Sequence, residues 1–128
     1  MRALLDTHAF LWWITDDDSL SSHARRVLGD GSNELFVSAA SAWEIAIKIG
    51  LGKLPFPGEA SSIIPRQLSV NAFLSLPVEI EHALRVADLP RLHRDPFDRM
   101  LVAQAQIEKL PIISRDPEIA RYDVRLIW

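Results

Sequence analysis

The sequence predicts an α/β domain built on a largely parallel central sheet. Short apolar runs alternate with segments whose apolar residues recur at helical spacing, and parallel strands need helical crossovers to connect them. Of the 128 residues, 48% are hydrophobic, which is enough for one substantial core and too little for two stable domains. We therefore expect one domain spanning residues 1–128.

The first half of the chain begins with a strand that leads into a helix. Residues 3–5 form an apolar run that stops at Asp6, and residues 7–14 carry an apolar stripe at helical spacing. Ser21 or Ser22 caps a second helix through residue 28. The other elements predicted in this half are a strand at 34–38, a helix from Ala39 to a stop at Gly50, a helix at 60–70 that contains Pro65, and a strand at 72–76.

The second half contains the clearest helix start in the chain, Asp-Pro-Phe-Asp. Asp95 suits the N-cap, Pro96 suits the first helical position, and Asp98 falls in the first turn of a helix that runs to about Lys109. The other elements predicted here are a helix at 78–87, a basic loop at 91–94, a strand at 110–114, a helical turn at 117–120 and a strand at 124–127.

The composition of the chain excludes several classes of function. The net charge is only -3, so a globally basic nucleic-acid binder is not indicated, and the absence of cysteine excludes disulfides, thiolate zinc sites and cysteine nucleophiles. The first apolar run is far too short for a signal peptide, and no run approaches the roughly 20 residues of a membrane span. We expect a cytoplasmic protein with no membrane partner.

Four acidic residues are predicted to converge on one edge of the sheet. Asp6 and Asp116 follow strands, and Glu44 and Asp98 lie in the first turns of helices that begin at the same edge, where ligands of open parallel sheets gather. Clustered carboxylates repel one another unless a cation neutralises them, and oxygen ligands suit Mg²⁺ or Mn²⁺. A cation held in this way activates water and stabilises a phosphoryl oxygen, which is the chemistry of phosphodiester hydrolysis.

Each acid also has a structural interpretation. Asp6 and Asp116 could cap the helical segments that follow them, whereas Glu44 lies in an apolar helical stripe, where burial without a partner would be costly. Asp95 and Asp98 compete for one role. The carboxylate oxygens of a cap accept hydrogen bonds from backbone N–H groups, so we predict Asp98 as the metal ligand and Asp95 as the cap. Asp95 remains the second candidate for the ligand.

Polar neighbours of the acids are further candidates. Thr7 and Ser114 could contact metal-bound water or close turns. The basic residues Arg94, Arg99 and Arg115 could bind an RNA phosphate or form a solvated face. The four histidines are not spaced like zinc ligands, and the tryptophans, which could stack on bases, lie at helical spacing typical of a core.

Four segments together resemble PIN-domain proteins of the VapC toxin type. They are Leu-Leu-Asp-Thr-His at 4–8, Ser-Ala-Ala-Ser-Ala-Trp-Glu-Ile-Ala-Ile-Lys at 38–48, His-Arg-Asp-Pro-Phe-Asp-Arg-Met-Leu-Val-Ala-Gln-Ala at 93–105, and Ile-Ile-Ser-Arg-Asp-Pro at 112–117. The resemblance implies a PIN-like three-layer α/β/α fold and a Mg²⁺- or Mn²⁺-dependent endoribonuclease. It also implies the toxin of a type II toxin-antitoxin pair, a homodimer that a cognate antitoxin inhibits in a larger assembly.

Carried over by position, the family's acids fall on Asp6, Glu44, Asp98 and Asp116, of which the three aspartates would bind the metal. The resemblance favours Asp98 because Ala-Gln-Ala at 103–105 keeps the family's spacing after that acid, although the doubled Asp-Pro-Phe-Asp departs from the simpler family pattern. The family commonly places a small hydroxyl residue beside the first or last acid.

Two other functions compete with this one. A phosphoryl-transfer enzyme with an aspartyl nucleophile would also place an acid after the first strand, but a phosphatase of that kind resembles Asp-x-Asp, and here His8 occupies the place of the second acid. A PIN-like module could instead bind RNA or protein without cleavage, against which the four acids argue.

Overall fold

Five short apolar segments form one fully parallel sheet. The computed structural model of the protein describes residues 1–128 and places the strands in the order β3-β2-β1-β4-β5, with each neighbouring pair parallel. The strands are β1 (Arg2–Leu5), β2 (Glu34–Ser38), β3 (Leu74–Leu76), β4 (Ile112–Ile113) and β5 (Leu126–Ile127). The predicted α/β class with a parallel sheet is confirmed.

Helices connect the strands in the predicted sequence of elements. Side-chain caps begin several of them: Ser21 accepts a hydrogen bond from the N–H of Ala24, and Ser38 accepts one from the N–H of Ala40. The helices are α1 (Thr7–Ile14), α2 (Ser22–Gly29), α3 (Ala39–Gly50), α4 (Ala60–Val70), α5 (Ile80–Asp88) and α6 (Pro96–Glu108), followed by a 3₁₀ turn at Ile119–Arg121. No helix is both long enough and apolar enough to cross a membrane.

Alternate strand residues pack into two cores, one on each face of the sheet. Ala3 and Leu5 of β1 join a core with residues of α1, α2, α3 and α4, whereas Leu4 joins a second core with residues of α6. Because both faces of the central strand are covered in this way, the predicted three-layer α/β/α arrangement is confirmed.

Several element boundaries differ from the predictions. The third strand begins at Leu74 rather than at residue 72, because Ala72 has a φ of 54° and a left-handed residue cannot continue a strand. The strand predicted at 110–114 shrinks to Ile112–Ile113, since Pro111 has no N–H to donate to a ladder. Pro65 lies inside α4 without ending it.

The parallel sheet brings the carboxyl ends of the central strands to one edge. There β1 leads directly into α1 and β2 leads directly into α3. Asp6 caps the first of these helices and Ser38 caps the second. The same edge therefore receives the polar residues that follow β1 and β4, which neighbour each other in the sheet.

Candidate active site

Asp6 is a buried carboxylate at the junction of β1 and α1. Its side chain is 5% exposed, its Oδ1 accepts a hydrogen bond of 2.6 Å from the N–H of Ala9, and its own N–H donates to the carbonyl of Ile113. Burial raises the pKa of Asp6, although hydrogen bonds from Ser114 and from the N–H of Ala9 oppose the rise. Asp6 is thus both the predicted cap and a carboxylate whose charge is incompletely compensated.

Asp116 follows β4 and lies within electrostatic reach of two other acids. Its Oδ1 accepts a hydrogen bond of 2.8 Å from the N–H of Glu118, and its N–H donates to Oγ of Ser114 over 3.0 Å. The negative charge of Asp116 contributes to the raised pKa of both Asp6 and Asp98. These three aspartates, predicted to bind metal, therefore share one electrostatic environment.

The doubled motif at the start of α6 contains a cap, Asp95, and a carboxylate without backbone donors, Asp98. Oδ1 of Asp95 accepts hydrogen bonds from the N–H groups of Phe97, at 2.9 Å, and Asp98, at 3.0 Å, so the predicted cap is present. Burial, together with the nearby charge of Asp95, raises the pKa of Asp98 to about 6. Asp98 is left with one oxygen held by a histidine and no backbone donor.

That histidine is His93, whose role the sequence did not reveal. Its Nε2 lies 3.2 Å from Oδ2 of Asp98, and its Nδ1 lies 2.8 Å from the hydroxyl of Tyr122. The hydrogen bond from His93 partly offsets the rise in the pKa of Asp98. His93 precedes α6 by three residues, but its contact with Tyr122 depends on tertiary packing.

Glu44 is the most deeply buried of the four predicted acids. It is 2% exposed, the ammonium of Lys48 donates to its Oε2, and its Oε1 is buried with no hydrogen-bond partner. The pKa of Lys48 is raised, mainly by this hydrogen bond, with contributions from the charges of Asp95 and Asp98. Lys48 therefore links Glu44 electrostatically to α6. Lys48 was not among the predicted site residues, although its i,i+4 spacing from Glu44 indicates such an ion pair.

The two hydroxyl candidates both have structural partners. Thr7 is buried and donates to Oγ of Ser41 over 2.9 Å, which ties α1 to α3. Ser114 is buried between the backbone of Asp116 and the carboxylate of Asp6. Both residues therefore fix the positions of the elements that carry the acids.

The three candidate phosphate-binding arginines differ in whether their guanidinium groups are already hydrogen-bonded within the protein. The guanidinium of Arg99 donates to the carbonyls of Pro90 and Val86 and to the hydroxyl of Tyr122, so its donors are spent within the fold. Arg94 is exposed. Arg115 is exposed beside Asp116, and its guanidinium lies 4.7 Å from the centre of the Trp12 ring.

The donor set of the four acids fits a divalent cation. All the ligand atoms would be carboxylate oxygens, burial disfavours the ionised forms of Asp6 and Asp98, and Oε1 of Glu44 lacks a partner. A bound cation would compensate each of these features. The acids nevertheless do not bring three ligand atoms within 4.8 Å of one another.

Three other residues, between α5 and α6, do have ligand atoms within 4.8 Å of one another. They are Glu81, His82 and Glu108. His82 is almost fully buried and its Nδ1 accepts the N–H of Glu79, so its Nε2 carries the proton that is donated to Glu108 over 3.0 Å. Both ring nitrogens are occupied in capping α5 and joining it to α6. This cluster is explained as a structural contact.

Comparison with known proteins identifies one family and several structural relatives. A model of the PIN domain family matches residues 3–125. Over 62 residues the chain is 39% identical to ribonuclease VapC16 of Mycobacterium tuberculosis. That alignment covers 48% of this chain and 43% of the relative, so the chain matches less than half of the relative's length.

Three solved structures have the same fold over nearly the whole chain. VapBC2 from Rickettsia felis, bound to a DNA fragment from its promoter, has a TM-score of 0.73 at 17% identity and covers 100% of this chain and 99% of that one. DNA-bound VapBC from Salmonella typhimurium has a TM-score of 0.71 at 19% identity, covering 99% and 97%. FitAcB from Neisseria gonorrhoeae has a TM-score of 0.70 at 18% identity, covering 100% and 97%.

Proposed function

Because the chain belongs to the PIN domain family, we propose that it is an endoribonuclease that hydrolyses RNA phosphodiester bonds with Mg²⁺ or Mn²⁺. The observation that carries the proposal is the unpartnered, buried Oε1 of Glu44, together with two aspartates, Asp6 and Asp98, whose ionised forms burial disfavours. A divalent cation at such a site would offset the cost of burying ionised carboxylates, so the metal-bound protein would be more stable than the metal-free protein. The partial match to a protein named as a ribonuclease supports RNA as the substrate.

In this proposal Asp6, Asp98 and Asp116 hold the metal, and Glu44 completes the acidic site. A divalent ion held by these residues would supply positive charge to a phosphoryl oxygen and would make a water molecule more acidic. The N–H of Ala9 and the hydroxyl of Ser114 fix the orientation of Asp6, which preorganises the site. Arg115 lines the same cleft as Asp6 and Asp116, where its guanidinium meets the phosphate of the substrate.

A cleavage assay with structured RNA tests the activity. We expect the purified protein to cleave with Mg²⁺ or Mn²⁺, and both chelation and Asp6→Asn to abolish cleavage. Asp88→Asn, which removes an exposed acid at the end of α5, serves as the matched control and should cleave normally. Equal cleavage by the Asp6→Asn variant would reject the mechanism.

We further propose that the protein is the toxin of a type II toxin-antitoxin pair. Structures of the same fold are described as VapBC and FitAB assemblies, and one is described as a toxin-antitoxin complex. An apolar groove of about 500 Å³, lined by Trp43, Phe97 and Met100 among others, lies at the end of α6 that carries Asp98. It is suited to an apolar antitoxin segment whose basic side chain could occupy the metal position.

Growth experiments test this role. Overproduction should arrest growth, the Asp6→Asn variant should not, and co-expression of the neighbouring small gene should restore growth. We also expect a homodimer, which light scattering of the purified protein can check, and a cytoplasmic location, which cell fractionation can check. A harmless wild-type protein with no co-purifying partner would reject the toxin role and leave the nuclease to be decided by the cleavage assay.

The second candidate is a PIN-like module that binds RNA or protein without cleavage. The observation that favours it is the ion pair between Lys48 and Glu44, because an ammonium already compensates part of the acidic site. Binding of RNA that persists in chelator, with no cleavage in Mg²⁺ or Mn²⁺, would favour this module over the enzyme.

A further inference from the structure

A second cleft adjoins the one that contains Asp6 and Asp116, and apart from Glu44 its lining has no part in the proposed chemistry. It has a volume of about 390 Å³, within the range of small-ligand sites. Its walls include the rings of His8, Trp12 and Phe56 and the ammonium-bearing side chains of Lys48 and Lys53. A mixed lining of aromatic surface and a few charged groups is typical of a ligand site rather than of a packing defect.

This cleft adjoins the cleft that contains the acids. His8 and Trp12 line both, and the acid cleft, of about 270 Å³, is completed by Asp6, Arg115 and Asp116. A polymer lying across the acids would therefore pass directly over His8 and Trp12 into the second cleft. Glu44 lines the second cleft as well, and its unpartnered Oε1 is the one buried side-chain polar atom without a hydrogen bond.

The guanidinium of Arg115 contacts the aromatic ring of Trp12, which is shared by the two clefts. Arg115 lines the acid cleft and not the second one, and its guanidinium lies 4.7 Å from the centre of the Trp12 ring. The His8 ring lies 5.5 Å from that of Trp12, with 39° between the planes. Rings arranged beside a guanidinium provide stacking surface for nucleobases together with charge for phosphates.

The second cleft also carries a cation without a carboxylate partner. Lys53 is exposed and its ammonium forms no ion pair, whereas the ammonium of Lys48 is held by Glu44. The lining of this cleft also includes Phe56, which packs partly against the core. Together the two adjoining clefts therefore contain an acid site, aromatic rings and a cation without an ion-pair partner.

We propose that this cleft binds the nucleotide adjacent to the cleaved phosphate, with its base stacked on Trp12 and Phe56 and its phosphate contacted by Lys53. The proposal rests on the proposed ribonuclease function and specifies its substrate. A base stacked in this way must be unpaired to present its face, so the test of the cleft uses an unpaired RNA.

A binding experiment separates this cleft from the cleavage chemistry. The Asp6→Asn variant is used as the background, and the probe is an unpaired RNA oligonucleotide of about eight nucleotides in which single positions are made abasic in turn. In this background, one abasic position should weaken binding about tenfold. Adding Trp12→Leu should weaken the intact RNA by a similar factor and make binding insensitive to that position.

Matched controls define the result. Trp13→Leu removes a tryptophan whose Nε1 donates to Asn71 outside the cleft, and it should leave the abasic profile unchanged. Lys53→Ala should weaken binding and reduce the slope of log affinity against log salt by about one, whereas Arg125→Ala, just before β5 at the opposite sheet edge, should not. If Trp12→Leu does not fold, the comparison of Lys53→Ala with Arg125→Ala decides the proposal.

An abasic profile that is the same with and without Trp12 would overturn the proposal, as would equal effects of Lys53→Ala and Arg125→Ala. If the wild type cleaves RNA while either of these results is found, the cleft assignment fails and the ribonuclease stands. If the profile depends on Trp12 but the wild type cleaves nothing, the cleft stands as an RNA-binding site and the ribonuclease proposal fails.

Discussion

Lys48 donates a hydrogen bond from its ammonium to Oε2 of Glu44, while Oε1 of the same carboxylate is buried without a partner. The charges of Asp95 and Asp98 add to the stabilisation of this ammonium. In the metal-free protein, Lys48 is therefore the cation that compensates the buried glutamate. A divalent ion that approached Glu44 would compete with it.

Replacement of Lys48 tests this competition. Lys48→Met leaves Glu44 buried without its cation, so the free energy of unfolding of the metal-free protein should fall by about 1–2 kcal/mol. The variant should then gain more thermal stability from Mn²⁺ than the parent does. Arg66→Met, at an exposed position in α4, is the control and should change neither quantity. Equal stabilisation of parent and Lys48→Met by Mn²⁺ would argue against competition.

The raised pKa of Asp98 predicts how stability depends on pH without metal. Folded Asp98 has a pKa of about 6 against an ordinary value of 3.8, so the folded state binds its proton more tightly. Between these two values the free energy of unfolding should therefore fall as pH rises, by about 2–3 kcal/mol from this group.

The Asp98→Asn variant should lack this contribution. Denaturant unfolding in chelator should show the variant gaining stability relative to the parent as pH rises through this window, while Asp88→Asn keeps a constant difference from the parent. A constant difference for Asp98→Asn would mean that Asp98 titrates normally.

The division of roles between Asp95 and Asp98 predicts opposite phenotypes. Asp98→Asn should weaken Mn²⁺ binding by at least about tenfold in calorimetry. Asp95→Asn retains an effective cap and should change stability little, whereas Asp95→Ala should cost about 1 kcal/mol. A larger loss of metal affinity in Asp95→Asn than in Asp98→Asn would reverse the assignment.

His93 is predicted to act through Asp98 as a positioning residue. Its hydrogen bond lowers the pKa of Asp98, so in His93→Ala the pH below which Mn²⁺ binding is lost should rise by about one unit. Tyr122→Phe removes the hydroxyl that contacts His93 but leaves the bond to Asp98, and it should shift this pH less. If the histidine variant keeps the parental pH dependence, the contact is only structural.

Local chemistry made much of the architecture predictable. Alternation of apolar runs and helical stripes was sufficient for the order of elements, because each run stops at a residue that caps or turns the chain. Asp-Pro-Phe-Asp was informative for the same reason: a cap and a first-turn proline act on their own helix, so the separation of Asp95 from Asp98 needed no tertiary information.

Contacts between distant segments were not predictable. Arg99 was a candidate for phosphate binding, but carbonyls at the end of α5 and just after it accept its hydrogen bonds, and no local pattern reports where those carbonyls lie. The bond between His93 and Tyr122 likewise joins residues that only the packing of α6 brings together. The position at which β3 begins depends on the left-handed backbone conformation of Ala72, which the sequence does not reveal.

The most direct test of the account is the position of a bound metal. Crystals grown or soaked with Mn²⁺ and measured for anomalous scattering should show a peak within coordination distance of Asp6, Asp98 and Asp116, and the peak should be absent in Asp6→Asn. A peak at the group formed by Glu81, His82 and Glu108, with none at the aspartates, would contradict the assignment of the active site.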